Sequence, residues 1–292
     1  MIKTNQIQQL RPMLLKISQK GYIVLLALIF LMGCASDGEK KSTTDDGESI
    51  EAVEQEVNEF YSQNITYKLP SPVELYIFLE DNGATYQKEL INSPENKARY
   101  YTVQSKTLNF GIYVSDLAYS TVFGQHQETF SYFKTTRELA DELGYAEGFD
   151  KALVQRVENN QYNLDSLYQI SNDAYWDACN YLEDQDRRDA LALIYTGGWL
   201  ESVYLAIKSV SEFDPENPIV IRIAEQQILL DNLIGTIYSL EPDLQPKDIL
   251  DKLLDLQMTF DQLYDNTDVV ITKEQFEEIS NAIISLRNEI VS

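Results

Sequence analysis

Residues 109–123 read NFGIYVSDLAYSTVF. Wound as a helix, this stretch carries apolar or aromatic side chains on nearly every side, the pattern of a helix surrounded by others rather than laid on a surface. Two of its residues are out of keeping with that setting. Asp116 puts a carboxylate in the middle, where burial without a partner costs several kcal/mol. Gly111 lowers helix propensity by about 1 kcal/mol relative to alanine, a loss that close packing or a ligand must offset. Residues 191–208, LALIYTGGWLESVYLAIK, repeat the design: Gly197 and Gly198 open space beside Trp199, and Glu201 stands in another apolar run. Two such helices call for a fold built around them.

The rest of the chain supplies more helices. SPVE at 71–74 is a capping box with proline at the first helical position, predicting a helix through Leu75, Phe78 and Leu79 that stops near Gly83. SPEN at 93–96 starts a short helix by the same logic. Helices are expected over 108–123, 125–143, 150–159, 164–184, 187–211, 215–240, 246–264 and 272–291, with DPEN at 214–217 and TKEQ at 272–275 as cap signals. Ile50, Val53, Val57, Phe60 and Tyr61 also fall at helical spacing. Residues 100–103 and 269–271 look strand-like but are too short for a sheet. With no fixed-period repeat and no long heptad run, the expected fold class is all-α, a globular antiparallel helical bundle over residues 49–292.

Ahead of the bundle stands LALIFLMGCASDGE, residues 26–39. Lys3, Arg11, Lys16 and Lys20 precede an uncharged stretch from Gly21 to Met32. This is the layout of a secretory signal, and the apolar run falls short of the about 20 residues that span a bilayer. Met13 is an alternative start that keeps the signal whole. The L-M-G-C of residues 31–34 resembles the lipobox of bacterial lipoproteins. That resemblance implies cleavage before Cys34 and lipidation of its thiol and new amino group. Acyl chains gain ~0.8 kcal/mol per buried methylene, so several on one cysteine anchor a protein stably. Residues 1–33 thus read as signal peptide and 34–48 as the lipidated cysteine with a polar, flexible acidic tether. An outer-membrane anchor is expected, with the periplasmic and surface-exposed faces both open. The second cysteine, Cys179, lies in AYWDACNYL and reads as a small buried side chain.

Composition narrows the function classes. The formal net charge is −24, and losing a basic signal segment makes the chain more acidic still. Nucleic acid is therefore an unsuitable partner, because its phosphates require Lys and Arg. His126 is the single histidine. Its surroundings, GQHQE, depart from the G-x-H-x-x-E pattern of imelysin-like, iron-linked lipoproteins, since Thr129 occupies the place of the glutamate. One histidine without converging ligands does not make a metal site. There is no G-x-S-x-G elbow, no phosphate-binding glycine loop and no G-x-G-x-x-G. No metal, cofactor or catalytic residue is assigned, although a carboxylate pair stays open as an enzymatic alternative.

Asp116 and Glu201, with Tyr119, Trp199 and Tyr204, are the candidate ligand-binding residues. Two readings of them stay open. In one, the acids line a common polar pocket; in the other, the glycines let helices approach and the acids satisfy buried tyrosine hydroxyls. The corresponding functions are a non-enzymatic helical protein binding a small molecule or peptide, and an envelope interaction protein docking a protein partner. The second draws on Met258, Phe260, Leu263 and Phe276 of the C-terminal helices as a docking face.

Three stretches together, YKLPSPVELYIFLEDNGATY (67–86), NFGIYVSDLAYSTVF and YTGGWLESVYLA (195–206), resemble a group of uncharacterised outer-membrane lipoproteins from Bacteroidetes. The likeness runs from about Tyr67 to Tyr238 and implies an envelope location in that phylum. It implies no activity and transfers no catalytic residue.

Overall fold

Ser71 caps the first helix as its sequence predicts, but the Glu74 side chain does not reach back to it, so the expected capping box forms only in half. The Ser71 hydroxyl accepts from the Val73 amide at 3.4 Å, Pro72 takes the first position, and helix α1 runs Pro72–Asp81. The computed structural model describes residues 71–145, 155–156, 159–160, 163–265 and 270–292. These all belong to the unit Val53–Ser292. The signal segment 1–33, Cys34, the tether to 48, the helical spacing from Ile50 to Tyr61 and most of 150–159 lie outside the described residues.

After α1 a 3-10 turn, Pro94–Arg99, leads into α2 (Val103–Val122), α3 (His126–Leu143), α4 (Leu164–Asp184) and α5 (Arg188–Ser209). Then follow α6 (Pro218–Ala224), α7 (Gln226–Tyr238), α8 (Lys247–Asp261), a 3-10 turn at Gln262–Asp265, and α9 (Lys273–Val291). Among the described residues every regular element is helical, so the chain is an all-α helical bundle. A capping box starts α9: the Gln275 amide donates to the Thr272 hydroxyl at 3.2 Å, and the Gln275 side chain accepts from the Thr272 amide at 3.0 Å.

The centre is the crossing of α2 and α5. Both are buried along most of their length, and in α5 every residue from Ala190 to Ile207 is buried. Gly111 of α2 sits against the Ile194 carbonyl of α5, and Gly197 of α5 against the Leu108 carbonyl of α2. A β-carbon at either position would run into that backbone oxygen. The helices therefore touch main chain to main chain, and that approach offsets the propensity lost at the glycines. Central position also explains the composition of α5, whose mean hydropathy of 1.4 over a window long enough to cross a membrane accompanies complete burial.

Three boundaries differ from expectation. Thr102 caps the Ser105 amide at 3.0 Å, so α2 begins a turn before Leu108. The SPEN segment tightens to a 3-10 turn. The expected helix over 215–240 starts only at Pro218, because Asn217 caps Ile219 at 2.8 Å while Asp214 folds back on Glu216 in a turn. Pro218 has no amide to give a helix already under way and fits a first helical position instead.

The proposed C-terminal docking face is also revised. Phe260, Leu263 and Phe276 are buried, and only Met258 of the four is substantially exposed. Spacing within amphipathic α8 and α9 turns Phe260 and Phe276 toward the core, and Leu263 follows from the 3-10 turn after α8.

Candidate functional site

At the crossing, α2 and α5 bring their out-of-place acids together. Asp116 and Glu201 are both 0% exposed, and the Asp116 carboxyl lies within hydrogen-bonding reach of Glu201. The last helix supplies the cation. Arg287 Nε donates to Glu201 Oε2 at 2.8 Å and its Nη2 to Glu201 Oε1 at 2.9 Å, the two-pronged geometry that suits guanidinium and carboxylate. The same Nη2 donates to the Leu90 carbonyl at 3.0 Å, and the guanidinium lies 4.5 Å from the centre of the Tyr204 ring.

Asp116 has no such cation to itself. Its Oδ2 accepts from the Asn92 amide at 3.0 Å, whereas its Oδ1 has no donor among the described residues. Burial raises its pKa well above the usual carboxylate range, and the negative charge of Glu201 adds to the rise. Arg287 and the Asn92 amide act in the opposite sense without prevailing. Burial and the neighbouring charge thus favour the protonated form of Asp116. In that form the carboxyl has a proton to donate toward Glu201, whose oxygens are already gripped by Arg287. For Arg287, burial alone works against the charged form, but the charge and hydrogen bonds of Glu201 carry its pKa above the ordinary arginine value.

A polar collar closes around this cluster. The Asn92 side-chain amide donates to the Tyr100 hydroxyl at 2.9 Å, and the Asn92 carbonyl accepts from Tyr132 at 3.0 Å. Tyr76 and Ser115 share a hydroxyl bond of 2.5 Å, and Ser115 donates on to the Gly198 carbonyl at 3.2 Å. Asn109 and Tyr100 reach the last carbonyls of α9, those of Ile290 and Val291, at 3.0 and 3.5 Å. Terminal carbonyls that helix geometry leaves unpaired are thereby satisfied from α2 and the segment before it.

The other candidates go elsewhere. Tyr119 is 1% exposed, donates to the Thr85 carbonyl and accepts from the Gln87 amide. Its ring packs against Tyr76, Tyr86 and Phe123 at 5.2, 5.2 and 4.7 Å between centres. Trp199 faces a separate cleft of ≈ 80 Å³ framed by the start of α1, by α2, α4 and α5, and by α6 and α7. Gly111, Gly198 and Ser202 line it beside Trp199, and neither Asp116 nor Glu201 does. The five candidates thus divide among a sealed ionic cluster, an aromatic cluster and an open cleft, rather than sharing one pocket. Tyr204 joins the first through Arg287.

In the cleft wall, the Trp199 indole is 5% exposed and its Nε1–H has no hydrogen-bond acceptor among the described residues. Tyr175, Tyr195, Val114, Ile194 and Leu229 add an apolar and aromatic surface, while Glu74 and Arg222 stand exposed at its edge. His126 begins α3, and among the described residues no group of three or more His, Cys, Asp or Glu side chains is placed to hold a metal ion.

Two members of the ionic cluster escaped the sequence reading. Asn92 carries no signal beyond preceding a cap serine. Arg287 does carry one: it falls four residues after Ile283 on the stripe formed by Phe276, Ile279 and Ile283, where an apolar residue is expected. Compared with known protein families, curated proteins and solved structures, the chain shows no significant match.

Proposed function

We propose that this chain is a lipid-anchored, non-catalytic binding protein of the bacterial envelope, whose helical domain takes up a small molecule at the Trp199 cleft. The observation that carries the reading is that Trp199, in the wall of that cleft, has an indole N–H without an acceptor among the described residues. A buried donor without an acceptor costs about 1–3 kcal/mol, and because the nitrogen itself is covered, a ligand acceptor recovers that cost as the cleft lining shifts to admit it. The cleft also has the usual makeup of a ligand site, an apolar and aromatic surface with a few polar groups. Its volume favours something smaller than a drug-sized compound or a folded peptide.

The anchor rests on the sequence alone. The basic and apolar segment before Cys34, the L-M-G-C motif and the polar stretch behind it favour a lipidated cysteine at the outer membrane. On this reading the domain works at the end of a tether, beside the membrane rather than in it. Asp116 and Glu201 belong to the scaffold. Both are shut away from solvent and their charge is balanced by Arg287, so a substrate has no route to the pair without opening the core.

Native mass spectrometry of the full chain, produced in its host and extracted in detergent, tests both halves. The expected result is an acylated chain carrying a reproducible additional small mass. Gly198→Ala, which places a methyl group in the cleft lining in ordinary contact with its neighbours, should remove the small mass and keep the acyl chains. Cys34→Ala should do the reverse. A chain that never carries an added mass overturns the binding reading, and an unacylated Cys34 overturns the anchor.

A further inference from the structure

Resting on that reading of the cleft, we propose that its ligand is a small zwitterion, a free amino acid with a short apolar side chain. Charge distribution is the first ground. Glu74 and Arg222 are the charged residues that line the cleft, one of each sign. They make no ion pair with each other, and Glu74 makes none with any described residue. Arg222 is held in place from elsewhere: its Nε meets Glu225 at 3.1 Å and its guanidinium lies 4.4 Å from the centre of the Phe78 ring. That arrangement fixes the plane of the guanidinium and leaves its terminal amino groups available for a carboxylate.

The second ground is the unpartnered indole. A ligand carboxylate beside Arg222 receives its charged donors and, once the lining shifts to uncover the nitrogen, the indole N–H, while the ammonium group of the same ligand turns to Glu74. A simple anion leaves Glu74 repelled, and a simple cation leaves the indole N–H unmet and faces Arg222. A ligand carrying both charges meets Arg222 and Glu74 together, and the Tyr195 hydroxyl, buried without a partner among the described residues, is a further polar group of the same lining.

Size and surface supply the third ground. Space of ≈ 80 Å³ holds roughly five to eight water-sized positions at ~10–15 Å³ each. That is the scale of free valine or leucine and is too little for a peptide. Leu75, Val114, Ile194 and Leu229 give the side chain an apolar seat.

The sequence contains two tryptophans, Trp176 and Trp199, so Trp176→Phe leaves the cleft residue as sole reporter. The full chain with that substitution, in detergent, is titrated with L-leucine, L-valine, 3-methylbutylamine and 4-methylpentanoate while indole emission is followed. The amino acids are expected to give a saturable change, with the amine and the acid binding about tenfold more weakly or worse, the loss of one charge-assisted hydrogen bond. Arg222→Gln and Glu74→Gln, both at exposed positions, should each weaken leucine by a similar factor with helical content unchanged. Equal binding of the amine or the acid overturns the zwitterion and leaves the cleft standing. So does silence toward all four probes when native mass spectrometry still shows an adduct sensitive to Gly198→Ala. Silence toward all four with no adduct overturns the cleft as well.

Discussion

The carboxyl of Asp116 lies against that of Glu201, and Arg287 grips the second while burial and the charge of Glu201 push the first toward its protonated form. Opposed acids in a core are tolerable only when one is neutral, because two buried negative charges at contact distance repel strongly. The proton is thus a structural component, and it makes the fold sensitive to pH in a direction that can be worked out. The unfolded chain releases this proton near pH 4, the ordinary aspartate value of about 3.9. The folded chain retains it to a much higher pH. In between, the folded state binds more protons than the unfolded state, so stability falls as pH rises, by at most about 1.4 kcal/mol per unit for a single proton.

Asp116→Asn isolates that contribution. Its side-chain oxygen can accept from the Asn92 amide and its NH₂ can donate to Glu201, with no proton to lose. Chemical denaturation at intervals from pH 4 to 9 should show the gap between variant and parent widening in favour of the variant as pH rises. A gap that stays constant across the range would mean that Asp116 ionises as freely in the fold as outside it.

Arg287 answers for the other half of the cluster. It is buried, bonded twice to Glu201 and once to the Leu90 carbonyl, and covers the Tyr204 ring. Arg287→Met keeps much of the volume but strands the Glu201 charge, a change that typically costs about 3–5 kcal/mol. Denaturant midpoints should register the full loss. Pairing the change with Glu201→Leu should recover a substantial part, since two apolar side chains bury no uncompensated charge. Equal damage from the single and double variants would show that packing, not charge, holds this corner.

How these elements stood in the sequence differs from case to case. All-round apolarity of residues 109–123 and 191–208 identified the central helices, because burial on every side leaves no polar stripe to conceal them. Their acids were conspicuous for the same reason, and Asp116 does meet Glu201. Their partner was harder to find, since Arg287 comes from the last helix and its one signal, a place on the apolar stripe, does not say which acids it meets. The cleft was less legible still. Gly198 and Trp199 marked its inner wall, but Glu74 and Arg222 reach its edge from separate helices by tertiary packing that no local pattern records.

The glycines of the crossing allow a sharper test, because three neighbouring positions differ in what surrounds them. A methyl group at Gly111 meets the Ile194 carbonyl, and one at Gly197 meets the Leu108 carbonyl, with rigid backbone on both sides. At Gly198 the nearest atoms, the Gly111 oxygen and Pro72 Cγ, are 3.5 and 3.6 Å away. Gly111→Ala and Gly197→Ala should therefore each destabilise by about 1–3 kcal/mol or more through overpacking. Gly198→Ala should be neutral or gain up to about 1 kcal/mol from helix propensity. Urea unfolding of the three variants separates them, and a Gly111→Ala protein as stable as its parent would show that the helices can move apart without loss.

A second acid site, remote from the cluster, offers a milder titration. Asp231 on α7 accepts from the Gln257 side chain of α8 at 2.6 Å, and Asp261 stands near enough to act on it through its charge. Burial raises the Asp231 pKa to about 6, the hydrogen bond from Gln257 opposes that rise, and Asp261 reinforces it. The sign is that of Asp116 over a narrower window. Stability linked to this proton is present below pH 4, declines between about pH 4 and 6, and is lost above that. Asp231→Asn keeps an acceptor for Gln257 and removes the titration, so at pH 7 it should stabilise the protein by about 1–3 kcal/mol. At pH 4 the two proteins should unfold at nearly the same denaturant concentration. An advantage for the variant that persists undiminished at pH 4 would assign its effect to packing between α7 and α8 rather than to the charge.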